Sequence, residues 1–196
     1  MESASPQQSG LRMTWFLPGV YLLVLLLWLL PHNPRNWLLH ESGSWYTWIT
    51  CHFISGTWKN LLLSLALLVL AGMPVEIRHP RLTPALFAGF ALLQSLGHQL
   101  LGEFVFYGSP LGIALAFCTF NALDGLSRPP LQRGTSYSVL LVLFIASIAE
   151  LSTPGLLYAF LPFHEAPRSG ITWFVALFSG TLAYLPTLIP RSSTRE

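Results

Sequence analysis

Apolar residues run along this chain in long blocks separated by short polar breaks. Six blocks stand out, at residues 14–30, 58–72, 82–101, 109–122, 137–160 and 171–189. A helix needs about 20 apolar residues to cross the hydrocarbon core of a bilayer, so each block predicts a membrane-spanning helix. The second and fourth are short for that task. They require burial by neighbouring helices, because unsatisfied backbone is costly in lipid. Pro154-Gly155 predicts a break inside the fifth block, which places Glu150 near a helix end at the interface and lets residues 156–163 fold back along the surface. The first block is longer than the apolar core of a signal peptide, and Pro31-His32-Asn33-Pro34 is no small-x-small cleavage site. It is expected to remain as a span.

Charge sets the orientation. Arginine and lysine concentrate on the side of the membrane from which proteins insert. With six spans and the N-terminus inside, Arg12, Arg78, Arg81, Arg128, Arg133, Arg191 and Arg195 fall on the inner side, and Arg35, Lys59 and Arg168 on the outer side. An odd number of spans would separate Arg12 from Arg191 and spoil this bias. The expected fold is therefore an all-α membrane protein with six transmembrane helices, N-in and C-in. It has one domain at residues 14–190 between short cytoplasmic tails at 1–13 and 191–196.

Composition narrows the class. Of the 196 residues, 53% are hydrophobic and only 9% are charged, against about a quarter charged in soluble domains. The mean hydropathy is +0.56. A net charge of +2 without a basic run gives no footing for nucleic acid. Cys51 and Cys118 lie in apolar surroundings and read as small hydrophobes. Their spacing supports no metal site, and His52, His98 and His164 would have to converge from three distant loops to make one. Neither a metal nor a small-molecule cofactor is expected. Low lysine, high leucine and an arginine-rich basic set point to a bacterial inner membrane.

Between the first two blocks, residues 36–49 carry Trp37, Trp45, Tyr46 and Trp48 beside His40 and Glu41. Tryptophan and tyrosine favour the headgroup region, where an apolar ring can keep its polar atom wet. This loop is expected to lie in the outer interface.

From Tyr46 to Ser64 the chain reads YTWITCHFISGTWKNLLLS, which resembles the opening of a rhomboid intramembrane protease, W-R-x-x-T-x-x-F-x-H-x-x-W-x-H-L-L-x-N. Thr50, Phe53, Gly56 and Trp58 hold family-like positions, and Gly72 and Glu76 match a Gly and a Glu farther along the same helix. Ser109-Pro110-Leu111-Gly112 falls where the family carries G-x-S-G. The run from Trp173 to Gly180 falls where it carries H-x-x-G-x-x-x-G. The resemblance covers about a quarter of the chain.

It implies a rhomboid-like bundle with its chemistry removed. The nucleophile position is Leu111 and the base position is Trp173. The oxyanion positions are Ser55 (or Asn60) and Ser64. Leucine offers no nucleophile and tryptophan accepts no proton, whereas acyl transfer needs both. The small residues Gly108, Gly112 and Ala116, with Ala176 and Gly180, are expected to let the fourth and sixth helices approach closely; a dimerisation face is the alternative for the last pair. His52, Trp58, Glu150, Trp45 and Trp48 are candidates for contacting a partner, His52 otherwise being a water-accessible helix end. The resemblance implies an inactive pseudoprotease that binds a transmembrane client or membrane protein as adaptor, chaperone or regulator. A shifted dyad of Ser109 and His98 would instead give an active, rhombosortase-like intramembrane serine peptidase. Against that, Ser109 followed by Pro110 has the form of a helix N-cap. A small transporter or channel component is a third reading, disfavoured by the few intramembrane charges.

Overall fold

The computed structural model describes residues 15–29, 38–39, 44–55, 58–101, 108–153 and 169–188. Among the described residues the regular structure is helical and contains no strand. In chain order come α1 (Phe16–Leu29), the single turn α2 (Thr47–Thr50) with a 3₁₀ turn (Cys51–Phe53), and α3 (Trp58–Leu67). A π-helical segment (Leu68–Gly72) joins α3 to α4 (Met73–Arg78), and α5 (Thr83–Leu101), α6 (Leu111–Leu126) and α7 (Pro130–Ser152) follow. The last helix, α8 (Ser169–Tyr184), runs into a 3₁₀ turn (Leu185–Leu188). The tails, residues 156–163 and His164 lie outside the described residues.

The block that ends at 72 in the sequence pattern belongs to a longer helix. α3, the π segment and α4 are continuous over Trp58–Arg78, 21 residues. Pro74 lacks an N–H, and its ring crowds the carbonyl four residues back, at Leu70. The wide π turn just upstream accommodates that defect, so the helix continues through it. This helix, α7 and the stretch Gly170–Leu188 are each long and apolar enough to cross a membrane. They are the helices of a membrane protein. α1 and α6 are apolar but shorter, and the second half of α5 carries Gln94, Ser95, His98 and Gln99.

α6 is the central helix. Every residue from Gly112 to Phe120 is buried by α3, the π segment, α5, α7 and α8. Its 16 residues rise about 24 Å, less than the roughly 30 Å of a hydrocarbon core. A helix surrounded by protein need not match that thickness. Phe90 and Phe117 meet edge to face at 5.1 Å, and Leu17, Leu68 and Phe120 complete the apolar centre.

Small residues decide how closely the helices meet. A Cβ on Gly180 would stand 2.6 Å from Thr119 Cβ and 2.7 Å from the Ala116 carbonyl oxygen, so α8 crosses α6 backbone against backbone. One on Gly112 would stand 2.6 Å from Gln94 Cδ. Gly108 faces Leu38 and Cys51. Ala116 and Ala176 are buried, and the Ala176–Gly180 pair is covered by α6 rather than left as a dimerisation face. α3 and α7 each pack on α6. Their outward apolar side chains include Leu62 on α3 and Leu141, Phe144, Ile145 and Ile148 on α7.

At the far end of the bundle Glu76 closes α1. The Phe16 amide donates to Oε1 at 2.9 Å and the Leu17 amide to Oε2 at 3.0 Å. Those amides are among the four that any helix N-terminus leaves without an internal partner, and a carboxylate there also meets the positive end of the helix dipole.

Glu150 stands at the helix end expected for it but is enclosed by protein. α7 stops at Ser152, which puts Glu150 in the last turn, yet its exposure is 1%. The N-terminus of α8 covers it: a Cβ on Gly170 would lie 2.9 Å from the Glu150 carbonyl oxygen.

Candidate functional site

The residues singled out in the sequence gather at the end of the bundle formed by the N-termini of α3, α6 and α8 and the C-terminus of α5. What organises them is one face of α5. Ala91, Gln94, Ser95 and His98 recur at helical spacing, i, i+3, i+4 and i+7, and therefore line a single stripe. All four are buried.

His52, in the 3₁₀ turn, docks on this stripe. Its Nε2 lies 2.8 Å from the Ala91 carbonyl oxygen and 2.9 Å from Ser95 Oγ. A carbonyl only accepts, so Nε2 carries the proton. Ser95 passes the chain on by donating to the Trp48 carbonyl at 2.6 Å, and Cys51 Sγ stands 3.8 Å from Ser95 Oγ. These bonds hold the 47–53 segment against α5. His52 is consequently buried at 1% exposure, a correction to its reading as a water-accessible helix end or surface contact.

Two steps along the stripe, Gln94 joins the other helices. Its Nε2 donates to the Gly112 carbonyl at 3.4 Å and to the Thr172 carbonyl at 3.3 Å. His98 Nε2 meets Thr172 Oγ1 at 3.0 Å. Gly112 follows Leu111, and Thr172 precedes Trp173. One amide thus levels the N-terminal turns of α6 and α8 and places Leu111 and Trp173 at the same depth. Both side chains pack against the main apolar cluster.

Ser109 sits just before α6. Its Oγ accepts the Asn60 Nδ2–H at 3.0 Å and the Leu111 N–H at 3.1 Å, the second being an N-cap bond in form. Both lone pairs of the hydroxyl are thereby engaged, and a nucleophile needs one of them. The His52 ring lies against the Ser109 backbone, and His98 bonds to Thr172 Oγ1. Ser64 is buried and donates to the Asn60 carbonyl at 2.7 Å, an internal helical bond that turns its hydroxyl away from any oxyanion. Ser55 is buried beside this cluster's backbone segment.

The partner candidates divide by exposure. Trp45 is 80% exposed and Trp58 55%, and Lys59 Nζ stands 5.9 Å from the Trp58 ring. Trp48 is half-buried against Leu39 and Cys51. His52 and Glu150 are inside. Cys51 and Cys118 are buried free thiols, and among the described residues no three His, Cys, Asp or Glu side chains are placed to share a metal ion.

Gln94, Ser95 and Thr172 are the site residues that sequence reasoning missed. The signal for the first two was the 91/94/95/98 spacing itself. Thr172 gave none, because its role depends on which helix lies opposite.

Burial also fixes how the site responds to acid. The apolar surroundings of His52 lower its pKa from 6.5 to about 4, against the opposing effect of the Ala91 carbonyl. The unfolded chain therefore binds a proton below pH 6.5 that the folded chain refuses until about pH 4. Stability is full above that window and falls as pH drops through it, by about 2 kcal/mol between pH 8 and pH 5. Thermal unfolding in detergent at a series of pH values should show this loss, and His52→Gln should lessen it. An unchanged slope in the variant would assign the loss to other groups.

Comparison with protein-family models, with curated proteins and with solved structures yields no match.

Proposed function

We propose that this chain is a rhomboid-like pseudoprotease of six transmembrane helices, N-in and C-in, in a bacterial inner membrane. It binds a transmembrane segment of a client or partner protein and does not cleave it. The observation that carries this reading is the Gln94 bridge. It sets positions 111 and 173, where the resemblance puts nucleophile and base, level with each other at neighbouring helix ends. Those positions hold Leu111 and Trp173, two bulky apolar side chains packed on the core. An acyl-transfer centre would need a hydroxyl, a base and room for water there.

The binding face is placed on the exposed sides of α3 and α7, which both pack on α6. A client helix laid there would meet exposed apolar side chains of both helices, including Leu62 and Ile145, and association in lipid rests on close packing. Trp45 and Trp58, exposed at the polar end, would border the client where it leaves the membrane.

The test is co-reconstitution with a designed single-pass helix in liposomes, with a photoreactive residue at position 62 or 145. Crosslinks should form there to an uncut helix, and should be weaker from positions 92 and 96 on the exposed side of α5. Equal crosslinking from all four would reduce the contact to random collision. A serine-directed fluorophosphonate should leave the wild-type chain unlabelled. Labelling that disappears in Ser109→Ala would replace the pseudoprotease by an active serine hydrolase.

A further inference from the structure

At the opposite end of the bundle, two arginines and a histidine converge on one acid, with two more arginines nearby. Asp124, near the end of α6, pairs with Arg78 Nε at 3.0 Å and with Arg128 Nη2 at 3.0 Å, and His79 Nε2 stands 3.5 Å away. Arg78 also donates to Asn121 Oδ1. Arg133, in the first turns of α7, donates to the Arg128 carbonyl at 3.3 Å. Arg81 lies exposed in the intervening turn.

The charges do not balance. Arg78, Arg81, Arg128 and Arg133 face Asp124 alone, since the only other described acid at this end, Glu76, is engaged with the amides of α1. Arg128 keeps 36% and Arg78 26% of its side-chain surface open, and Arg133 is exposed. Guanidinium groups match phosphate oxygens in planar, paired hydrogen bonds. The cluster also sits where two candidate spans begin and end, at Arg78 and Pro130. Beside it Ile77, Leu82 and Leu131 are exposed, Leu131 at 87%. A ligand with an anionic head and an apolar tail fits both halves.

We propose that this end of the bundle is a binding site for an anionic phospholipid, its phosphate held by Arg128, Arg133 and the open edge of Arg78 and its acyl chains against the adjoining apolar side chains. Asp124 tempers the site: it gathers the arginines and competes with the phosphate for them. The inference depends on the helices spanning a membrane and not on any catalytic ancestry.

Native mass spectrometry of the full chain, with phosphatidylglycerol or phosphatidylcholine added to the detergent, reads it directly. The wild type should retain phosphatidylglycerol selectively. Arg128→Gln and Arg133→Gln should each lower that preference about fivefold, the worth of one basic residue at an anionic surface. Asp124→Asn should raise it. Should Asp124→Asn fail to fold, exposed Arg133 still decides the matter, since its loss leaves the Asp124 pairs intact. Equal retention of the two lipids, or an unchanged preference in Arg133→Gln, would overturn the proposal. So would displacement of the lipid by inorganic phosphate at equal concentration, which would mark a site for free anions.

Discussion

Glu76→Ala is expected to destabilise the protein by about 4 kcal/mol. Two backbone amides, of Phe16 and Leu17, lose their acceptor at once, and each hydrogen bond to a charged acceptor contributes about 1.5–3 kcal/mol. Glu76 is buried, so water replaces the lost oxygens poorly. Glu76→Gln is the sharper probe. The amide keeps one acceptor oxygen but points an NH₂ at the second backbone N–H, where donor faces donor. It should recover no more than half of the loss. Unfolding followed in mixed micelles would measure both variants, and a glutamine variant as stable as the wild type would sink the capping role.

Second in size is the crossing of α6 and α8. Gly180→Ala must push its methyl toward the Ala116 carbonyl and Thr119 Cβ, both inside normal contact. Backbone cannot move aside as a flexible side-chain tip can, so about 2–3 kcal/mol is expected, at the upper end for overpacking. Gly180→Leu should separate the helices and prevent recovery of a folded monomer from detergent. Gly89 supplies the control. Nothing lies within 4 Å of a Cβ built there, so Gly89→Ala should be neutral or stabilise α5 by up to about 1 kcal/mol through helix propensity. If both alanine variants behaved alike, close approach at Gly180 would not be what the glycine provides.

Much of the helical layout was legible because apolar blocks in a membrane protein leave little choice of secondary structure. Central burial of the short fourth block followed from its length, and α7 stops just before the Pro-Gly that marked its end. The second block was cut too early at Gly72, because proline inside a helix reads as a stop unless a π turn is foreseen. Polar residues were harder. His52 and Glu150 looked like boundary groups by position in sequence, yet both are enclosed by segments distant along the chain, α5 in one case and α8 in the other. Periodicity could have revealed the α5 stripe, whereas the carbonyls of Gly112 and Thr172 that complete it belong to the tertiary arrangement alone. Ser109 shows the same limit. Its N-cap form was visible, but the second lone pair is taken by Asn60, 49 residues away.

The polar stripe is a packing device in its own right. Gln94, Ser95 and His98 bond to backbone and hydroxyl groups that hold four elements in register, and none of those bonds requires a serine at 111 or a histidine at 173.

The Glu76 cap has a further consequence for biosynthesis. The carboxylate that finishes α1 lies 60 residues downstream of the first amide it serves. While the chain is being made, α1 is synthesised before the acceptor of those amides exists. Its seat becomes final only once the chain has been made as far as Glu76. A chain interrupted before residue 76 would leave a first helix whose Phe16 and Leu17 amides lack this carboxylate.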